Sequence, residues 1–163
     1  PYGRRYGCSD DALIKALYVA SGFGAVIAQR ASISGAEAGC QAEIGSAAAM
    51  AATALVYLHG GCPVQMANAS AMALKNMMGL VCDPVAGLVE VPCIKRNAAG
   101  AMNALCAAEM ALAGIESRIP PDEVIDAMAA VGAALPSSLR ETGMGGIAAS
   151  PTAMKFREEF FGQ

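Results

Sequence analysis

The hydrophobic pattern of this chain has helical spacing almost throughout, and no stretch shows the apolar–polar alternation of a half-buried strand. Ser9-Asp10-Asp11 opens the first clear helix, with an N-cap hydroxyl followed by acids in the first turn. The apolar run behind it reaches about Ala20. Gly22 and Gly24 then bend it or allow tight packing, and a second piece continues to about Arg30. Ser34-Gly35-Ala36-Glu37 matches a capping box, or a loop that shapes a pocket. Residues 41–58 carry Ala, Met and Leu with no clear polar face, which predicts a central buried helix closed by His59-Gly60-Gly61. Cys62-Pro63 starts the next helix, which stops at Gly79. A proline-bearing loop follows over 79–93. Beyond it a helix starts at Arg96 and Asn97 and runs to about Ala113, with Gly114 as its stop. Pro120-Pro121-Asp122-Glu123 begins the last clear helix, which ends before Pro136. Residues 137–151 are turn-rich, 155–161 form a short amphipathic tail, and 1–8 are a basic, frayed end. The fold class is all-α. One compact helical domain over 1–163 surrounds a buried alanine-rich helix, with a cysteine-bearing loop beside it.

Composition strengthens that picture. Hydrophobic residues make up 55% of the chain and charged residues 15%, which suits helices buried on most sides. Alanine, the commonest residue, is the best helix former and lets helices approach closely. The apolar stretches 12–28 and 98–115 are interrupted by Lys15 and by Asn103 and Glu109, so they read as core helices rather than membrane spans. A net charge of −3, no Trp and 5% aromatics leave neither a basic footprint nor stacking platforms for nucleic acid. Six cysteines in such a chain do not resemble a secreted disulfide framework, and with no signal peptide they point to a reducing cytoplasm.

The chemistry lies with three of those cysteines. Cys40 precedes the alanine-rich helix, where free backbone N–H groups and the dipole favour a thiolate. Cys82 and Cys93 bracket a loop stiffened by Pro84 and Pro92. Spacing alone leaves buried structural cysteines in front of metal ligands, since the short Cys-x-x-Cys signatures are missing. Cys8, Cys62 and Cys106 read as structural. His59 is the only histidine and so the obvious general base. However, it closes the central helix some 18 residues from Cys40, roughly 27 Å along a straight helix, and the helix C-cap is the plainer role. Glu43 either complements the helix dipole or faces a site. Asp83 caps or hydrogen-bonds near the loop. Arg96 is a surface charge or a bidentate carboxylate binder, and Asn97 could orient a substrate.

Three longer motifs shift this balance. Ser34-Gly-Ala-Glu-Ala-Gly-Cys-Gln-Ala-Glu-Ile-Gly-Ser46, Cys82-Asp-Pro-Val-Ala-Gly87 and Val91-Pro-Cys-Ile-Lys-Arg-Asn97 resemble the iron–sulfur-dependent L-serine dehydratase family, in its α subunit or catalytic domain. The segment 141–147 is similar to the family's C-terminal motif. The resemblance implies an all-helical catalytic domain with a [4Fe–4S] cluster on Cys40, Cys82 and Cys93. It also implies deamination of L-serine to pyruvate and ammonia by β-elimination at the iron left open. Arg96 and Asn97 are the candidate substrate contacts. The general base and carboxylate contacts are then expected from an N-terminal region or a partner β subunit, in an oligomer of which this chain is a C-terminal part. An end at Gly162-Gln163, without a final cysteine, favours the two-subunit type. Two alternatives stand beside this reading: a lyase acting on another β-substituted amino acid such as L-cysteine, and an inactive helical fragment without a cluster. A zinc site on the same cysteines is weakened by the lack of a fourth ligand.

Overall fold

The computed structural model describes residues 2–162. The architecture is all-α, and the described residues contain no strand, only an isolated bridge between Cys82 and Arg140. A short first helix, α1 (Tyr2–Arg5), is not frayed. Tyr2 packs against the rings of Tyr6 and His59, and aromatic contact outweighs the turn-forming residues around it.

The second helix, α2 (Asp10–Arg30), is capped by the Ser9 hydroxyl, which accepts from the Ala12 N–H at 3.2 Å. It runs unbroken through both glycines. Gly24 serves packing, because a Cβ there would lie 2.7 Å from the Met50 sulfur. The stretch 12–28 is buried only along the stripe Ala16, Ala20, Gly24 and Ile27, so the expectation of a core helix is corrected: Ile14, Leu17 and Tyr18 are exposed. Among the described residues, α2 alone is long and apolar enough to cross a membrane.

After α3 (Gly35–Ala38), the central helix α4 (Ser46–Leu58) packs against α2, α5 (Pro63–Met77) and α6 (Cys93–Leu112). Its buried Ala48, Ala49, Ala52 and Val56 leave little bulk between the axes, and Met66, Met72 and Leu74 of α5 fill what remains. α7 (Pro121–Ala134) closes the core with Val124, Ile125 and Met128. Pro63 opens α5 and Pro121 opens α7, as anticipated. The final helix, α8 (Pro151–Phe161), starts at Ser150, whose hydroxyl accepts from the Ala153 N–H at 3.4 Å.

His59 is the C-cap of α4, with Nδ1 2.9 Å from the Leu55 carbonyl and Nε2 3.4 Å from the Tyr2 hydroxyl. One departure bears on the chemistry. α6 begins at Cys93, three residues earlier than its polar residues suggest, so the third cysteine sits in a helix rather than in a loop.

Candidate metal centre

The chain does not enter α4 as a plain α-helix. Gln41–Gly45 form a π-helical turn, with Cys40 at its N-terminal boundary and α4 continuing from its end. A π turn widens the helix by one residue, and such turns concentrate at functional sites. Nor does Ser34 cap α3. Instead, the Glu37 carboxylate takes the Ser32 hydroxyl, whose oxygen also accepts the Ser34 N–H at 3.0 Å. The capping-box expectation fails because a nearer hydroxyl competes for the same carboxylate.

Gln41 is completely buried and joins three segments. Its side-chain N–H donates to the Met128 carbonyl at 3.1 Å, and its Oε1 accepts the Gly79 N–H at 2.9 Å. Its backbone N–H donates to the Leu80 carbonyl at 2.9 Å. The residue after the first cysteine thus fixes the start of the loop that carries the second.

Cys82 is held on both sides by the turn-rich segment. Its N–H donates to the Leu139 carbonyl at 2.9 Å, and its carbonyl accepts the Glu141 N–H at 2.8 Å. Glu141 and Ala86, the non-glycine residues with positive φ at 64° and 55°, both lie in the segments framing this loop. Backbone of this kind persists only where its surroundings impose it.

Next in sequence, Asp83 is buried at 2% exposure and fully engaged. Oδ1 accepts from Arg96 Nη1 at 2.7 Å, and Oδ2 accepts the Ile147 N–H at 2.8 Å. Arg96 also donates to the Val81 carbonyl at 2.8 Å and reaches Cys40 Sγ at 3.9 Å. Burial works against its charge, but the hydrogen bond and charge of Asp83 prevail and its pKa is raised. Arg96 is therefore an internal tie between the loop, α6 and Cys40, not a surface charge.

These segments bring the three motif cysteines together. Cys40 packs with Cys82, and Cys93 lies against the same cluster. Cys40 and Cys82 are buried against Ile44, with Leu80 and Cys93 packed on the same cluster. The ligand atoms of Cys40, Glu43 and Cys82 all lie within 4.8 Å of one another. Burial, and then the nearness of Cys40, push the Cys82 and Cys93 thiols up. Three thiols in an apolar pocket resist ionising together unless a cation neutralises them, and sulfur donors suit zinc or an iron–sulfur centre. The donor set therefore fits the group that the motifs imply. The remaining cysteines stand apart: Cys62 and Cys106 are exposed, and Cys8 lies beside Gly3 of α1.

Asn97 lies on the exposed side of α6, lining a shallow groove of about 200 Å³ with Ile44, Ala48 and Gly100, next to the sulfur cluster. A larger cavity of about 480 Å³, between 143–149 and α8, contains no cysteine. Reading the sequence missed the π turn and the Asp83–Arg96–Ile147 connection. The sole signal for the latter was a carboxylate beside a motif cysteine.

Comparison with known proteins bears on the family of the chain. A family model described as Serine dehydratase alpha chain matches residues 1–148. A probable L-serine dehydratase alpha chain of Bacillus subtilis is 63% identical over 150 residues, covering 92% of this chain and 50% of the relative. One from Latilactobacillus sakei is 59% identical over 153 residues, covering 94% of this chain and 73% of the relative. The L-serine dehydratase alpha chain of Peptoniphilus asaccharolyticus is 53% identical over 139 residues, covering 85% and 48%. The chain spans about half the length of the Bacillus and Peptoniphilus relatives.

Proposed function

The chain belongs to the serine dehydratase alpha chain family, and we propose that it is the cluster-bearing part of an L-serine dehydratase that converts L-serine to pyruvate and ammonia in the cytoplasm. The observation that carries this reading is the approach of three motif cysteines from distant segments, Cys40 and Cys82 buried together and the half-buried Cys93 packed against them. On this reading the three sulfurs hold a [4Fe–4S] cluster. Bound there, the cluster supplies Lewis acidity toward the serine hydroxyl, a poor leaving group on its own.

The chain's own residues hold the sulfurs in place and keep bulk water from them. Gln41 and the Cys82 backbone bonds fix the sulfur positions. Asp83 orients Arg96, which brings positive charge to Cys40 Sγ and so favours an anionic centre. Arg96 Nη1 is spent on Asp83 and Val81. Its Nε and Nη2 remain to meet a substrate carboxylate, with Asn97 beside the centre orienting the amino acid.

Loss of the α-proton and the β-hydroxyl gives aminoacrylate, which tautomerises to an imine and hydrolyses to pyruvate and ammonia. We assign the base that takes the α-proton to a β subunit or a further region of the enzyme, because His59 is bound to Leu55 and Tyr2 at the other end of α4.

Anaerobic reconstitution with iron and sulfide tests the reading. Close to four of each per chain are expected. Alanine at Cys40, Cys82 or Cys93 should abolish retention, while alanine at Cys8, Cys62 or Cys106 should leave it intact. Equal loss from both sets would refute the ligand assignment.

A further inference from the structure

We propose that Glu43 is the fourth protein donor of this centre, with its carboxylate at the corner that the three cysteines leave open. The π turn places Glu43 three residues after Cys40, and the Glu43 carboxylate lies within 4.8 Å of both the Cys40 and Cys82 sulfurs. Room for this approach depends on Gly35. A Cβ there would stand 2.7 Å from Glu43 Oε2 and 3.2 Å from Cys82 Sγ, so a single missing methyl leaves space for both donors. Glu43 has no ion-pair partner among the described residues, and the nearby Arg96 is committed to Asp83. Glu43 is itself exposed, so its carboxylate reaches the buried Cys40 and Cys82 sulfurs from the solvent side of the centre.

Donor chemistry gives this arrangement a use. Three sulfurs and one oxygen would complete the four positions of a single zinc or cobalt ion, whereas on a cluster, where each iron takes one protein donor, Glu43 would serve the iron that the cysteines leave free. The oxygen is the hard donor in a soft set, hence the one most readily exchanged for an incoming hydroxyl. The inference that Glu43 is a donor rests on the geometry. Its role as an exchangeable cap rests on the proposed dehydratase function.

The test is anaerobic titration of the reduced chain with Co²⁺, followed by its ligand-field and sulfur-to-metal absorption, for wild type, E43Q, G35A and C82S. Circular dichroism confirms that each variant is folded. The wild-type chain should give a four-coordinate spectrum. E43Q should bind about tenfold more weakly, or worse, with altered bands, and G35A should do the same with Glu43 still present. Identical affinity and spectrum for E43Q and wild type would overturn the proposal. C82S binding like wild type would overturn the sulfur site itself. The same chains loaded with iron and sulfide and briefly oxidised separate the two claims. Faster conversion of E43Q to a three-iron form, seen by electron paramagnetic resonance, supports the cap on the cluster. Glu43-dependent Co²⁺ binding by a chain that takes up no cluster would uphold Glu43 as a donor and reject the iron–sulfur reading.

Discussion

A carboxylate buried to 2% exposure needs its charge answered, and Asp83 is answered twice, by Arg96 and by the Ile147 N–H. Asp83→Ala should destabilise the chain by about 3 kcal/mol, the lower end of the range for a broken buried pair, since Arg96 keeps some solvent. A shift in the urea midpoint measures it, and a shift below about 1 kcal/mol would contradict the pairing argument. The thiols carry a pH signature of the metal-free state. Cys82 and Cys93 are raised above the ordinary value of 9.0 by burial and then by Cys40. As pH rises past that value the unfolded chain releases these protons first, so it binds fewer protons than the folded chain and stability falls. The metal-free, reduced chain should therefore keep its urea midpoint near neutrality and lose stability in the alkaline range, and Cys82→Ala should blunt that loss. Sequence motifs singled out three cysteines that the fold brings near one another. Asp83 and Arg96 were ambiguous because 13 positions separate partners that meet only when the loop folds back on α6.

Gln41 makes its case among elements, not within one. It ties the π turn to α7 through Met128 and to the cysteine loop through Gly79 and Leu80. Gln41→Ala leaves buried polar groups unpaired and opens a cavity, so it should lower stability by about 2–4 kcal/mol. Because the damage falls beside Cys40, metal retention should drop more than global stability does, as hydrogen exchange at 79–82 against the α5 core would show. Helix starts at Ser9, Pro63 and Pro121 were legible because capping chemistry is local. The π turn was not, since alanine-rich sequence is equally content in a regular α-helix. Tertiary bonds of Gln41, absent from any local window, accompany the wider turn.

At the scale of the whole molecule, the helical class and the central position of α4 followed from composition and pattern, while the exposure of α2 did not. An apolar periodic stretch records that a face can be buried, not that a neighbour is present to bury it. Ile14, Leu17 and Tyr18 remain in solvent. Leu17→Glu should change the stability of the isolated chain by less than about 0.5 kcal/mol, as surface substitutions do, which thermal unfolding will check. The π turn reaches furthest of all. Each residue advances an α-helix by about 100° of rotation, and the turn at Gln41–Gly45 stores one such increment at the junction between α1–α3 and α4. Deleting a single codon within it would let regular α-helix resume and swing everything upstream around the axis of α4, carrying Cys40 away from Cys82. The centre is thus encoded in the phase of a helix as well as in the identity of its ligands. For this stretch, length is a stricter inheritance than composition.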